Sequence, residues 1–209
     1  MSSLRNNGPG GGLDNTDAPR LVEHPDDALL DAARASIVAV GWKRSTLTDV
    51  ARRAGVSRMT IYRRWPDMQT LLGDLMTREW SGLVDDHPDD PAVSPLTRLA
   101  DGVASTVAAL RDNELFAKIV HVDPELLLPY LLDRRGRSQQ AIAELTAGRI
   151  REGQADGSVR DGDPVAIARS LLLATHGFVL SAHTMVDDEV GEDALDRELE
   201  HLVRRVVSS

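Results

Sequence analysis

The 209-residue chain contains no cysteine and only seven aromatic residues. The absence of cysteine excludes disulfides, thiolate zinc sites and a cysteine nucleophile, and it suits a reducing cytoplasm. Seven aromatic side chains are too few for the stacking platforms on which single-stranded DNA or RNA usually rests. Duplex DNA therefore remains open as a nucleic-acid partner.

The sequence also has little that would favour a membrane. No run approaches the roughly 18 apolar residues of a membrane span, and the N-terminal stretch lacks the apolar centre of a signal peptide. We expect a cytoplasmic protein with no membrane partner. Residues 1–24 are rich in Gly, Asn, Asp and Pro without apolar periodicity, which predicts a disordered arm.

Apolar residues recur every three or four positions along most of the remaining chain. Leu30, Ala33 and Ile37 show this spacing before a linker at 85–95, and Leu99 and Val103 show it after the linker. Such spacing places the apolar side chains on one face of a helix. Alternating β-branched stretches are absent from the sequence, so we predict an all-α fold.

A helix-turn-helix is predicted around Gly55. Thr46 and Ser57 are the residue types that cap helix N-termini, with Asp49 three residues after Thr46. Gly55 can adopt the positive φ that a tight turn between two helices requires. In this motif the second helix enters the major groove of DNA, and here it includes Arg58 and Arg63.

Positive charge is concentrated in this part of an acidic chain. Residues 42–65 contain seven Lys or Arg and one Asp, a net charge of +6, whereas the whole chain carries −9. A local basic patch attracts phosphates, and an acidic body disfavours binding in other orientations. Two other interpretations remain open: a solvated helix face, and a helical module whose basic helix docks an acidic protein.

An enzyme is the rival class. The sequence has no Gly-rich phosphate loop, no G-x-S-x-G elbow and no H-E-x-x-H motif. His121 with Asp123, and His176 with His183, are the residue types of a zinc site. The two histidines of the second pair are seven positions apart, which is two helical turns, so they do not converge on one ion without a bend. We expect no catalysis, no cofactor and no metal site.

The stretch "STLTDVARRAGVSRMTIYRRWPDMQTLLGDLM" resembles the N-terminal segment of TetR/AcrR-type transcriptional regulators. Met59 stands where the family pattern has Gly, and Met68 where it has a Lys that usually meets phosphate. The resemblance implies a DNA-binding domain at 25–66 and a helical ligand-binding and dimerisation domain at 67–209. The residues in register are Thr46, Val50, Ala51, Ala54, Gly55, Val56, Ser57, Thr60, Ile61, Tyr62, Trp65 and Leu71.

The implied function is that of a homodimeric repressor that loses a palindromic operator when a small molecule occupies the C-terminal domain. In a groove-bound helix the exposed N-terminal turn reaches the bases, while flanking hydroxyls and cations hold the backbone. We therefore expect Arg58, Met59 and Arg63 to read sequence. The expected phosphate contacts are Lys43, Arg44, Thr46, Thr48, Thr60 and Tyr62.

The C-terminal region supplies candidates for a pocket and an interface. An apolar or amphipathic effector is expected, because the residues available to line a pocket are mostly apolar with few charges. The segment 165–185 is apolar on nearly every face and predicts pairing with a second copy. The pocket candidates are Trp80, Phe116, His121, Tyr130, His176, Phe178 and His183, and the interface candidates are Leu172, Leu180, Leu195, Leu199, Leu202 and Val206.

Overall fold

The structure, a computed structural model, describes residues 26–85, 90 and 92–209, which form nine α-helices. Among these residues the one extended pairing is an isolated bridge between Val159 and Ser208, so the predicted all-α fold is confirmed. The predicted arm, and residues 86–89 and 91 of the predicted linker, lie outside the described residues. The helices are α1 (Asp27–Val40), α2 (Leu47–Arg53), α3 (Arg58–Arg64), α4 (Met68–Asp85), α5 (Pro95–Asp112), α6 (Glu114–Val122), α7 (Arg137–Ala155), α8 (Pro164–Ser181) and α9 (Glu192–Val207).

The helix-turn-helix is formed by α2 and α3. The Thr46 hydroxyl accepts the backbone N–H of Asp49 at 3.1 Å, and the Ser57 hydroxyl accepts that of Thr60 at 3.1 Å. Each cap satisfies an N–H group that has no partner in the first helical turn. Gly55 lies in the turn with φ +70°. The caps and the turn therefore fall at the residues that the sequence predicts.

The first hydrophobic core extends beyond the three N-terminal helices. Val50, Ile61 and Trp65 are buried between α1, α2 and α3. Side chains from α4 and α6 belong to the same cluster, so the helix-turn-helix shares its core with both helices. Those side chains are Leu71, Leu72, Leu75, Met76, Leu115 and Ile119.

The second core lies between α5, α7, α8 and α9. Helix α9 buries Leu199, Val203 and Val207 against its own chain. Leu199 is 1% exposed, so the prediction that it lies at a dimer interface is wrong. An ion pair between Arg111 and Asp196, with the nitrogen and oxygen 2.6 Å apart, also joins α5 to α9.

Helix α8 is not buried on all sides within one chain. It contacts α5, α7 and α9, and its Leu171 and Thr175 are buried. Its Leu173, however, is 69% exposed. The segment Pro164–Met185 is the one stretch of the described residues long and apolar enough, by length and composition alone, to cross a membrane. The side of this helix that carries Leu173 is thus left uncovered.

Replacing Gly55 with Ala should lower the free energy of unfolding by about 1–2 kcal/mol, because an L side chain is strained in the left-handed conformation. Nothing lies within 4 Å of a Cβ added there, so the effect would come from the backbone. A Cβ added at Gly148 of α7 would also have nothing within 4 Å. Gly148→Ala should instead raise the free energy of unfolding by roughly 0.5–1 kcal/mol, because alanine favours a helix more than glycine does. Urea denaturation measures both, and equal effects would contradict the backbone argument.

Candidate functional site

The outward face of α3 carries large exposed side chains. Met59 is 81% exposed, and Arg58, Tyr62 and Arg63 are exposed beside it. The opposite face is anchored by Ile61, which is fully buried. Helix α3 is therefore held by one face and presents two cations, a phenol and a flexible apolar side chain with the other.

The two arginines of this face differ from a neighbouring cation on α2. Arg52 pairs with Asp49 at 2.7 Å, and the Thr46 hydroxyl donates to the same carboxylate at 2.6 Å. Within the described part of the chain, no carboxylate forms an ion pair with Arg58 or Arg63. The charge of α3 is therefore available to an external anion.

The other residues predicted to contact phosphate lie around the two helix N-termini. Lys43 and Arg44 are exposed just before α2, and the Arg44 side chain donates to the Val40 carbonyl at 2.9 Å. Thr48 and Thr60 are half-buried in the first turns of α2 and α3. These residues thus lie in the turn before α2 and in the first turns of α2 and α3.

The turn between α1 and α2 is tied to the end of α6. Asp123 is 2% exposed, and its carboxylate accepts the backbone N–H of Trp42 at 2.8 Å. Beside it, Nζ of Lys43 lies 2.6 Å from Oε1 of Glu125. This hydrogen bond raises the pKa of Lys43 and lowers the pKa of Glu125. A lysine predicted to meet phosphate is therefore held by a carboxylate in this structure.

A cavity of about 520 Å³ lies between α4, α5, α6, α7 and α8, within the usual size of small-molecule sites. Trp80 and Phe116 line it and pack edge to face, with ring centroids 6.2 Å apart. Tyr130 and His176 also line it. Burial lowers the pKa of His176, so its imidazole is neutral near pH 7 and lies 3.4 Å from the Gln139 amide nitrogen.

Three residues predicted for the pocket do not line it. His121 and His183 are exposed, with ring centroids 6.0 Å apart, and the His121 ring instead meets the Ala117 carbonyl at 2.7 Å. Phe178 packs on the second core. Among the described residues no group of three or more potential ligands could hold a metal ion.

Two residues predicted for the dimer interface line the cavity instead. Leu172 and Leu180 are half-buried in its wall, on the side of α8 that also carries His176. When apolar residues occur on every side of a helix, their spacing does not single out one buried side. The sequence of α8 therefore could not show which side meets the cavity. Both leucines therefore lie in the cavity wall rather than on the outer surface of α8.

Several apolar side chains remain exposed on α8 and α9. Leu202 is 48% exposed, Val206 and Leu173 are exposed as well, and Leu195 is half-buried. Buried apolar area is the main source of stability in association, so these side chains are available to a second chain.

The cavity wall also contains charged side chains that are not among the residues predicted for the pocket. The wall contains one carboxylate, that of Asp67, and four arginines. Three of the arginines come from the sequence run "RRGR", but only the fold shows that this run lines the cavity. The four are Arg134, Arg135, Arg137 and Arg149.

Three side chains belong to the cavity wall and to the first core at once. They are Leu72 and Met76 of α4 and Ile119 of α6. The same residues therefore touch the space open to a ligand and the interior that supports the helix-turn-helix.

A helix-turn-helix with exposed cations on its second helix, joined to a helical unit that contains a cavity, defines the class of helix-turn-helix transcriptional regulators. Residues 29–75 match bacterial regulatory proteins of the tetR family. An uncharacterized HTH-type transcriptional regulator of Mycobacterium bovis is 35% identical over 173 residues, which cover 83% of this chain and 89% of that protein. The chain belongs to the TetR family, and it is a transcriptional regulator rather than an enzyme.

Solved structures share the fold at low sequence identity. The SmeT–triclosan complex has a TM-score of 0.60 and 20% identity, covering 88% of this chain and 91% of that one. FadR from Bacillus subtilis in complex with stearoyl-CoA has a TM-score of 0.57 and 19% identity, covering 84% and 96%. These likenesses confirm the all-helical fold.

Proposed function

We propose that the chain is a homodimeric repressor that binds a palindromic operator and releases it when an apolar or amphipathic small molecule fills the cavity. The proposal rests on one observation: Leu72, Met76 and Ile119 line the cavity and also belong to the first core, which supports the helix-turn-helix. The neighbouring folds with triclosan and with stearoyl-CoA support a small-molecule effector.

On DNA, α3 would lie in the major groove with its exposed face toward the bases. Arg58 and Arg63 can donate two hydrogen bonds to guanine, and Met59 can touch a thymine methyl group. The remaining side chains would hold the phosphate backbone and fix the orientation of α3. They are Lys43, Arg44, Thr46, Thr48, Thr60 and Tyr62.

Release would follow from a change in the positions of α4 and α6. A ligand shifts an equilibrium only if it binds one conformation better than the other. An occupant of the cavity would touch Met76 and Ile119, and Asp123, the residue directly after α6, holds the Trp42 backbone. If the ligand prefers a conformation in which α4 and α6 have moved, the turn between α1 and α2 would move with them. The two α3 helices of a dimer would then lie farther apart.

Dimerisation would cover the exposed apolar side chains of α8 and α9. Two helices from each copy would form a four-helix bundle about a two-fold axis, in which the same surface serves both partners. A symmetric protein matches a palindromic operator, because each copy reads one half-site.

Replacing Met59 with Gly should relax the preference at one or two base pairs by about 1–3 kcal/mol, because the contact with a thymine methyl is lost. The slope of affinity against salt should hardly change, since Met59 carries no charge. Fluorescence anisotropy with the operator and single-base variants measures both quantities. Equal losses on operator and random DNA would show that Met59 does not read sequence.

Replacing Glu125 with Gln should strengthen binding to all duplex sequences and steepen the salt slope by up to about one per subunit, because Lys43 is freed for a phosphate. Lys43→Ala should do the opposite. The double variant is the control, because removal of any negative charge near DNA raises affinity in general. If Glu125→Gln has the same effect in the Lys43→Ala background, the ion pair is not the cause.

The free protein should sediment as a dimer at micromolar concentration. Leu173→Glu combined with Leu202→Glu should give monomers. Both leucines are exposed in one chain, and the proposed dimer would bury a charge at each position. Leu132→Glu is the matched control, since Leu132 is also strongly exposed but lies far along the chain from α8 and α9. Monomers of the unmodified protein, or dimers of the double variant, would contradict the proposed interface.

A further inference from the structure

The cavity wall is positively charged although the chain as a whole is acidic. Its ionised side chains are four arginines and Asp67, whereas the net charge of the chain is −9. The neutral imidazole of His176 adds no charge, because burial lowers its pKa. An excess of cations around a small, partly enclosed space favours an anionic occupant.

The arginines near the start of α7 have other interactions. Arg137 forms an ion pair with Asp74, and the Arg134 guanidinium lies 5.5 Å from the centre of the Tyr130 ring. Both side chains, like that of Arg135, are exposed. Water solvates an exposed cation, so none of the three requires a ligand.

Arg149 is placed differently. It is half-buried on α7 and faces α5, where its Nη1 would lie 3.0 Å from a Cβ on Gly102. Within the described part of the chain, no carboxylate forms an ion pair with it. A partly desolvated cation without a counter-charge is unfavourable, so an oxyanion beside Arg149 would regain the lost interaction.

The part of the cavity wall between Arg137 and Arg149 is mainly apolar. Arg137 and Arg149 are separated by about 18 Å along α7, at about 1.5 Å per residue. Between them α7 presents Ile142, Leu145 and Thr146 to the cavity. Because the other three arginines are exposed to water, Arg149 beside this apolar stretch of wall matches a molecule with an anionic head and an apolar body.

We infer that the cavity takes an anionic amphiphile, a carboxylate or phosphate head on an elongated apolar tail, and that Arg149 binds the head. This inference rests on the proposed function, because it names the chemical class of that effector. The missing side chain at Gly102 leaves the space that the Arg149 guanidinium occupies.

The test is calorimetric titration of the full chain with dodecanoate and with dodecan-1-ol, which share a tail and differ in charge. The unmodified protein should bind dodecanoate at least about tenfold more tightly than the alcohol, in line with a charge-assisted hydrogen bond. Arg149→Gln should abolish this difference while still binding the alcohol, which also shows that the variant is folded. Arg151→Gln, on the same helix but exposed and outside the wall, should keep the difference.

Equal affinities of the unmodified protein for the two compounds would overturn the inference, and so would binding of neither. A preference for dodecanoate that survives Arg149→Gln would overturn the assignment of the head group to Arg149. Operator binding without any ligand, measured on the same samples, tests the proposed function separately. Tight dodecanoate binding that leaves the operator bound would support the anionic site and contradict the proposed release.

Discussion

The double role of Leu72, Met76 and Ile119 is the constraint on which the rest of the structure depends. These side chains fill the interior below the helix-turn-helix and also form part of the cavity wall. Protein interiors are close-packed, so a side chain displaced on one side must move its neighbours on the other. The buried Asp123 adds a second connection, because it fixes the Trp42 backbone to the end of α6. The cavity wall and α3 therefore belong to one packed unit.

Electrostatics decides which part of this unit meets DNA. Residues 42–65 carry a net charge of +6 in an acidic chain, but several of their cations are already paired within the chain. Lys43 pairs with Glu125 and Arg52 with Asp49, whereas Arg58 and Arg63 extend from α3. The exposed face of α3 thereby keeps its positive charge. An acidic body makes other orientations on a polyanion unfavourable.

Local chemistry explains what could be predicted from the sequence. Thr46, Ser57 and Gly55 act through contacts within a few residues, so the caps and the turn follow from the sequence alone. The faces of α8 and α9 depend on distant partners. Leu199 fits a seam with Leu202 and equally one with Val203, and only tertiary packing selects the second. The arginine-rich wall likewise arises where α7 meets α4 and α5, which no local pattern reveals.

Selection of bound fragments from random duplex DNA tests the central claim most directly, namely that a symmetric dimer reads DNA with α3. The account predicts enrichment of two inverted half-sites at a fixed spacing, with binding that weakens steeply as salt rises. Fragments without a shared motif, or with a single unrepeated one, would contradict it.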